Sequence, residues 1–336
     1  FEDGNKNKEY HELAENIIVQ DGFYQVDEGT LNTLTLDKCD YYFDGELQEK
    51  EGYILNACER ANKLERKVAL RMEFFAELIE IPEVLYLVTE SPEKFRITIN
   101  GQKIEKNITG YFRDKSFKTI DIRQYVVRGK NTIAYECDFV QSPTFYENLK
   151  KAMVFESEKN KLVYDMELES IYLLGNFSVR TDGEWIALER EAYRYIGSFA
   201  LDRPKKEITL QNIEQQGFPF FCGELTLYGE IEVQGANPVL MVDFKGVNAI
   251  RVQIGAFEKV IFTGKKIPLE QVPAGKHRIK LTLINNLRNL LGPHHLEIGE
   301  DHEVSPSSFF KEPCVWIKSV SENRWNEDYC FVKMGR

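Results

Sequence analysis

The feature of this sequence that most limits its fold is an internal repeat. The segment VLYLVTESPEKFRITIN (84–100) aligns without a gap on VLMVDFKGVNAIRVQIG (239–255). Further along, SFKTIDIRQYVVRGKNTIAYECDF (116–139) shares with GKKIPLEQVPAGKHRIKLTL (264–283) an aliphatic pair two residues apart, a Gly-Lys turn and then alternating apolar and polar residues. The second copy is one residue shorter before its turn. A repeat this long, carried through four strand-like segments, predicts two copies of one domain rather than a solenoid of short units.

The composition agrees with two β-rich domains. The 336 residues, 43% apolar and 12% aromatic, are enough to bury two cores of ordinary size. The 22 Phe and 16 Tyr against 5 Met favour strands, because aromatic side chains suit a half-buried pleated surface. A formal net charge of −11 opposes binding to a phosphate backbone, so we expect no nucleic-acid partner. No apolar run is long enough to cross a bilayer, so we expect no membrane partner either.

The repeat and the spacing of apolar residues divide the chain into domains. The first β-sandwich is predicted to span residues 29–145, a helical linker 146–164, and the second sandwich 165–336. In both units, short strand-like runs follow one another at even spacing with turn residues between them. This pattern predicts an all-β fold of two jelly-roll β-sandwiches in tandem, with short helical inserts.

The two ends of the sequence are predicted as follows. Residues 1–28 are polar, with a helix-like piece around residues 9–19, and are interpreted as a connector from an upstream region. Because the chain begins with Phe1 rather than Met, we expect it to be a fragment or a processed form of a longer protein. The apolar runs 312–320 and 328–335 are predicted to be closing strands of the second sandwich.

Local signals predict two helices and two hairpin turns. Apolar residues at three-and-four spacing indicate an amphipathic helix within residues 53–67. Ser142-Pro143 has the N-cap and first-turn residues of a second helix, in the linker. Tight hairpin turns are predicted at Asn100-Gly101 and at Asp182-Gly183.

The cysteines indicate a redox compartment. They are scattered, with no CxxC pair and no zinc-like spacing, and most lie in apolar, strand-like segments. A thiol in such a segment behaves as a small buried hydrophobe. We therefore predict free core thiols and a reducing compartment, the bacterial cytoplasm. The six residues are Cys39, Cys58, Cys137, Cys222, Cys314 and Cys330.

The first unit carries motifs of a known domain family. ITINGQKI (97–104) ends a strand in NG, residues 114–117 match a D-x-[ST]-F entry, residues 121–122 match a D-[IL] strand, and residues 129–133 match a G-x-N-x-[IL] turn. These motifs resemble those of the galactose-binding-like jelly rolls that accompany glycoside hydrolase family 2 and the related large α-L-rhamnosidase-like enzymes. The resemblance implies carbohydrate binding.

The second unit, with GFPFFCGELTLYGEI (217–231) and INNLRNLLGPHHL (284–296), is similar to the C-terminal sandwich of the same enzymes. It departs from the pattern at Pro268, where the Asp of the D-[IL] strand would stand, so a ligand groove need not be duplicated. The resemblance covers nearly all of residues 29–336, without the strand–helix alternation of a catalytic barrel. It implies a non-catalytic accessory region that braces or completes the active site of a catalytic domain attached in the same polypeptide. The alternatives are an independent carbohydrate-binding module and a self-contained glycosidase.

No residue is predicted to be catalytic. Glycoside hydrolysis needs two carboxylates held roughly 5 to 10 Å apart, and 54 Asp and Glu residues offer too many pairs for any one to be informative. The sequence has no GxSxG elbow, no phosphate-binding Gly loop and no HExxH helix.

The candidate ligand-binding residues lie in two loops and at one tryptophan. A loop at the Gly292-Pro293 break carries donors that suit sugar hydroxyls or a neighbouring domain, although bonding to the loop's own backbone is an equal alternative. Trp325 has polar neighbours on both sides and is the better candidate for stacking at the surface, while a second loop precedes the D-x-[ST]-F entry. The predicted ligand-binding residues are Arg288, Asn289, His294, His295, Trp325, Tyr111 and Arg113.

The same loop carries residue types that can bind a metal. Glu297, Glu300 and His302 add possible ligands to the two histidines, but adjacent histidines on a strand point to opposite faces, so we predict no transition-metal site. We predict no cofactor. The resemblance leaves room for a structural calcium held by backbone carbonyls and carboxylates.

Overall fold

The computed structural model describes residues 16–18, 22–235, 237–262, 266–296, 304–317 and 325–336. Strands dominate and helices are few, which confirms the all-β class. The strands are β1 (Asn16–Ile18), β2 (Phe23–Val26), β3 (Asn32–Leu36), β4 (Lys38–Phe43), β5 (Glu46–Tyr53), β6 (Val68–Leu78), β7 (Leu85–Thr89), β8 (Arg96–Ile99), β9 (Gln102–Lys103), β10 (Ile108–Phe112), β11 (Asp114–Asp121), β12 (Gly129–Phe139), β13 (Ile171–Gly175), β14 (Ser178–Thr181), β15 (Glu184–Leu188), β16 (Ala192–Ile196), β17 (Phe199–Asp202), β18 (Glu207–Thr209), β19 (Glu224–Val233), β20 (Pro238–Met241), β21 (Val247–Ile254), β22 (Phe257–Ile261), β23 (Lys266–Pro268), β24 (Gly275–Asn285) and β25 (Tyr329–Val332). The helices are α1 (Ile54–Lys63), α2 (Pro143–Val154) and α3 (Arg288–Leu291).

The first sandwich consists of two facing sheets. Five strands pair in the order β10-β11-β7-β13-β3. Opposite them the order is β14-β17-β6-β12-β8-β9, with the β4–β5 hairpin also joined to β6. Along β6, buried residues alternate with exposed or half-buried ones, because one face of the strand packs into the core and the other does not. The core between the sheets includes Leu34, Phe74, Leu87 and Tyr135.

The second sandwich is smaller. Six strands pair in the order β18-β2-β19-β24-β21-β22, and the facing sheet is β1-β20-β23. Its separate core includes Leu227, Val252, Ile267 and Leu281.

The internal repeat is confirmed by strand pairing. In the first sandwich Ile99 of β8 pairs with Ile133 of β12, and in the second the aligned residues Ile254 and Ile279 pair in the same way. The other edge of the central strand also repeats, since β12 pairs with β6 and β24 with β19. The β20–β23 pair is shifted by two residues relative to β7–β11, which leaves the same face inward. The two sandwiches are therefore copies of one strand arrangement.

The chain passes between the sandwiches more often than the predicted domain boundaries of 29–145 and 165–336 allow. β13 lies between β3 and β7 in the first sandwich, and β14 and β17 extend the other sheet of that sandwich. Conversely β2, in the predicted connector, pairs with β18 and β19 of the second sandwich. Apolar spacing identifies a strand but does not identify its partner, and this is why the boundaries differ.

Three local predictions are wrong. No hairpin forms at Asp182-Gly183, because β14 pairs with β17 while β15 pairs with β16. Residues 312–317 form no strand, and residues 318–320 of that predicted run lie outside the described residues. β25 joins β15 and β16 in a small fifth sheet instead of closing the second sandwich. Within the predicted helix at 9–19, Asn16–Ile18 is a strand, and the rest lies outside the described residues.

Other local predictions are confirmed. Helix α1 buries Ile54, Cys58 and Ala61 of the predicted apolar face, whereas Leu64, at the end of that face, is exposed. The Ser142 hydroxyl caps α2 by accepting from the Phe145 N–H at 3.3 Å. Asn100-Gly101 makes the β8–β9 hairpin with positive φ angles of 52° and 78°.

The structure also shows the state of the cysteines and the character of the helices. All six cysteines are free thiols, and all are buried except Cys137, which is half-buried. In the part of the chain that the structure describes, no helix has the length and apolar character needed to cross a membrane.

Candidate functional site

The predicted ligand loop from Arg288 to His295 packs inside the protein. Asn289, His294 and His295 are 5%, 3% and 1% exposed. The Asn289 amide donates to the Val332 carbonyl (2.8 Å) and its oxygen accepts from the Val332 N–H (2.9 Å), so Asn289 holds β25 in place. Arg288 is half-buried at the start of α3. The three buried side chains present almost no surface to a ligand, and a role in sugar binding stays a prediction.

A buried carboxylate, Asp37, lies at the centre of this packing. It follows β3 and is 1% exposed. Its Oδ1 accepts from the Tyr329 hydroxyl at 2.6 Å. Its Oδ2 lies 3.1 Å from His295 Nε2 and 3.5 Å from His294 Nδ1. These contacts join the end of β3 to segments 258 and 292 residues later in the chain.

The electrostatics of Asp37 indicate a structural ion pair. Burial alone would raise the pKa of Asp37, but the charges of the two histidines and their hydrogen bonds outweigh it and hold the pKa well below its usual range. The second nitrogen of His295, Nδ1, faces the carbonyl oxygens of Asn326 and Asp328, each at 3.1 Å. Both ring nitrogens of His295 therefore face acceptor oxygens of the protein. Asp37 and His295 use their polar atoms to hold distant segments of the chain together, and this leaves neither side chain available for proton transfer.

Trp325 is half-buried rather than freely exposed. Its indole stacks on the His295 ring with centroids 4.6 Å apart and lies 4.7 Å from the Tyr53 ring. Among the described residues, its buried Nε1 has no hydrogen-bond partner. Because the indole is already packed on two protein rings, less of it remains for a sugar, and the predicted stacking role is untested.

Tyr111 and Arg113 lie where β10 meets β11. The Tyr111 ring is 60% exposed and is free to meet a ligand. Arg113 adopts a φ of 64°, and its guanidinium donates to the Cys222 carbonyl at 2.8 Å. Gly223 has a φ of 107°, which favours glycine, and a Cβ atom there would displace the Arg113 guanidinium. Arg113 thus fastens the first sandwich to the chain just before β19.

A recess that the sequence analysis did not identify opens at one end of the first sandwich. It lies where β7 ends, where the chain enters β13, and beside the middle of β12. The cavity has a volume of about 60 Å³. We call it the first-sandwich recess. Its polar and aromatic lining includes Glu90, Lys94, Tyr135, Tyr164, Glu167 and Glu169.

Tyr135 supplies an unused hydroxyl to this recess. Strand alternation directs its ring into the core, where it packs edge to face with Phe74 (5.8 Å) and Phe95 (5.4 Å). The residue is 2% exposed, and its hydroxyl makes no hydrogen bond of normal distance and angle within the described residues. The Thr89 hydroxyl lies close enough to oppose the rise in the Tyr135 pKa that burial causes, but it donates to the Glu90 carbonyl at 3.3 Å. A buried hydroxyl without a partner is uncommon and costs about 1–3 kcal/mol. A ligand group in the recess would remove this cost.

The carboxylates of the recess differ in the hydrogen bonds that they accept from the protein. Glu90 Oε1 accepts from the Ser116 hydroxyl at 2.8 Å, and the Lys94 ammonium donates to the Asp165 carbonyl at 2.7 Å. Glu169 makes no hydrogen bond or ion pair with any described residue. Desolvation by the recess walls, then the charges of Glu167 and Glu90, raises the pKa of Glu169 to about 7. Because Glu169 is also exposed at the mouth of the recess, solvent screens part of this effect.

The second sandwich does not carry the same side chains. In the repeat alignment, Glu90 corresponds to Lys245 and Tyr135 corresponds to Leu281. At these two positions the second sandwich therefore has a cation and an aliphatic side chain, and the first sandwich has a carboxylate and a hydroxyl. The expectation that a ligand groove need not be duplicated stays a prediction.

Two short sequence signals could have pointed to the recess. The polar residues 89–91 follow a buried strand, and the acidic segment 166–170 precedes another. They meet only because β13 pairs with β7. The predicted boundary at residue 165 assigns β13 to the other sandwich, and this separates the two signals.

Metal binding has no geometric support in the described part of the chain. There, no group of three or more His, Cys, Asp or Glu residues is placed to hold a metal ion. Glu297, Glu300 and His302 lie outside the described residues. A calcium held largely by backbone carbonyls stays a prediction.

Comparison with known proteins gives weak similarity of fold. The sequence matches no protein-family model and no curated protein. Solved structures similar to it include a β-D-mannosidase from Dictyoglomus thermophilum, with 14% identity and a TM-score of 0.28 over 76% of this chain and 31% of that one. A family 2 β-galacturonidase from Eisenbergiella tayi has 9% identity and a TM-score of 0.28 over 78% and 38% of the two chains. A rhamnosidase from Novosphingobium sp. PP1Y has 11% identity and a TM-score of 0.21 over 80% and 21%. This chain thus spans between about a fifth and two fifths of each of these proteins, and scores this low carry no functional inference.

Proposed function

We propose that this chain is a non-catalytic accessory region of a larger glycoside hydrolase and that it binds carbohydrate at the first-sandwich recess. The observation that carries the proposal is the buried Tyr135 hydroxyl, which has no hydrogen-bond partner among the described residues, in a recess whose walls also hold carboxylates and aromatic rings. Sugars are recognised by hydrogen bonds from fixed polar groups beside aromatic surface. The motifs at residues 97–104 and 114–117, which resemble galactose-binding-like jelly rolls, support the same ligand class.

The size of the recess limits what enters it. A cavity of about 60 Å³ admits a few waters or one substituent of a sugar, not a whole ring. The ring would stay at the mouth, near Tyr164 and the exposed edge of Glu169. The proposal therefore concerns recognition of a terminal sugar by one exocyclic group.

Titration of the chain with a panel of monosaccharides, followed by NMR chemical-shift changes, tests the proposal. Tyr135→Phe and Glu169→Gln should each weaken binding about fivefold or more, because each removes a hydrogen bond worth about 1 kcal/mol. Glu270→Gln, at an exposed glutamate of the second sandwich, is the matched control and should leave the Kd unchanged. Binding unaffected by both recess variants would show that the sugar binds elsewhere. Turnover of aryl glycosides by the chain alone would contradict the non-catalytic role.

A further inference from the structure

We infer that the first-sandwich recess selects a ligand that carries a protonated primary amine on a short arm, such as an aminomethyl-bearing sugar, and seats the ammonium between Tyr135 and the carboxylates of Glu90, Glu167 and Glu169. This inference rests on the proposed function and adds to it the charge of the group that enters the recess.

The charge balance of the recess is the first reason. Three carboxylates line it against one ammonium, that of Lys94, which already donates to the Asp165 carbonyl. A cation that enters the recess offsets this excess, whereas an anion is repelled. The raised pKa of Glu169, caused by desolvation and by the charges of Glu167 and Glu90, is a consequence of the same crowding.

The arrangement of donors and acceptors is the second reason. Glu169 and the Tyr135 hydroxyl lack partners among the described residues, and only one oxygen of Glu90 accepts a protein hydrogen bond. Ionised carboxylates are acceptors only, and an ammonium brings three N–H donors and no acceptor. Tyr135 would therefore accept from the ammonium, whereas a hydroxyl substituent brings two acceptor lone pairs but only one donor and no charge, so it can pair with one carboxylate at most.

The spacing of the carboxylates separates an ammonium from a metal ion. A metal needs several ligand atoms at bonding distance from one point, and no group of three acidic, histidine or cysteine residues in the described ranges provides that. An ammonium instead reaches its acceptors through hydrogen bonds of about 2.7–2.9 Å and does not need several ligand atoms at bonding distance from one point. The cavity volume of about 60 Å³ is also suited to a methylene-ammonium arm.

The repeat shows that this chemistry is particular to one sandwich. Lys245 stands in the second sandwich at the position of Glu90, and Leu281 at that of Tyr135. A like-charged lysine and an aliphatic side chain would reject an ammonium.

The test compares two sugars that differ only in the pendant group, glucose and 6-amino-6-deoxyglucose, by NMR titration of the chain at pH 8. We expect the amino sugar to bind at least tenfold more tightly than glucose, and we expect Glu169→Gln and Glu90→Gln to reduce that preference to about twofold. Glu270→Gln should preserve it. Methylammonium alone should shift the resonances of residues around the recess, which tests the pocket without a sugar ring.

The outcomes distinguish this inference from the proposed function. If glucose binds as tightly as the amino sugar and Tyr135→Phe weakens both, the charge inference is overturned while carbohydrate binding stands. If neither sugar and no amine perturbs the recess, both are overturned. The preference for the amino sugar should also fall between pH 8 and pH 6, as Glu169 gains a proton. The charged and titratable residues that line the recess beside Glu169 are Glu90, Glu167, Lys94, Tyr135 and Tyr164.

Discussion

At the scale of single residues, the buried polar groups divide into those that are fully paired and those that are not. Asp37 has partners for both of its oxygens, while the Tyr135 hydroxyl has none among the described residues. The first arrangement stabilises the fold, and the second offers a group to a ligand. Burial alone does not separate these roles, since Asp37 and Tyr135 are 1% and 2% exposed.

Asp37→Asn should destabilise the protein by about 3 kcal/mol, because it removes the buried carboxylate that accepts from Tyr329 and faces His294 and His295. The folded-state pKa of Asp37 is lowered, so the stability it contributes is fully present above its unfolded pKa of about 4 and is lost as the pH falls further. Urea unfolding should therefore give a constant difference from wild type between pH 7 and 5 and a shrinking one below about pH 4. Asp182→Asn, at an exposed aspartate, is the control, and an equal effect there would contradict the assignment.

The cysteines should be inert in the native protein. Burial, then the charge of Asp138, raises the pKa of the half-buried Cys137 to about 12, and burial raises those of Cys222 and Cys330 to about 11. At pH 8 each of these thiols is almost entirely protonated, and the thiolate is the reactive form. Ellman's reagent should detect no fast-reacting thiol in the folded chain and all six in guanidinium. Rapid reaction of several native thiols would contradict the burial described above.

At the scale of secondary-structure elements, β13 has the largest influence on the architecture. All five of its residues are buried, which is typical of a strand with neighbours on both edges and packing on both faces. It pairs with β3 on one side and β7 on the other, so it completes the five-stranded sheet. By pairing with β7 it also brings the acidic segment 166–170 to the recess.

Fragments of the chain should test this role of β13. A fragment of residues 29–145 lacks β13 and should not fold cooperatively, because β3 and β7 would face each other across an unfilled position in the sheet. A fragment of residues 29–202 keeps β13, β14 and β17 and should show β-sheet circular dichroism and a urea transition. A cooperative transition in the shorter fragment, equal to that of the longer one, would contradict the pairing.

The sequence predicts the elements better than their partners. The α1 face, the Ser142 cap and the Asn100-Gly101 turn follow from residues close together in the chain, and all three are present. The repeat predicts two copies of one domain, and the aligned strands pair in the same way in both sandwiches. The positions of β13 and β25 depend on contacts between distant residues that no local pattern records, and the recess was missed for the same reason.

At the scale of the whole molecule, the two sandwiches are joined by hydrogen bonds as well as by the chain. The Thr33 and Thr35 hydroxyls of β3 donate to the Phe220 and Leu290 carbonyls, at 2.6 and 2.8 Å. The last described segment also belongs to both halves, since Phe331 packs in the first core and Met334 in the second. The molecule should therefore unfold as one unit.

Phe331→Ala should lower the free energy of unfolding by about 3–5 kcal/mol, because it opens a cavity where Phe220 (4.9 Å) and Trp185 (5.6 Å) pack on a ring that is 0% exposed. Urea unfolding followed by both tryptophan fluorescence and circular dichroism should remain a single transition at a lower midpoint. Phe262→Ala, at a ring that is 75% exposed, should change stability by less than about 0.5 kcal/mol. Two separated transitions in the wild-type protein would show that the sandwiches are independent.

The bond between Tyr329 and Asp37 has a consequence for synthesis on the ribosome. The two residues are 292 positions apart, so Asp37 is synthesised long before the Tyr329 hydroxyl that donates to it. At about 10 residues per second this delay is roughly 30 s, far longer than most elementary folding steps. Although its strands come first, the N-terminal half can reach its final packing only after the C-terminal half has left the exit tunnel.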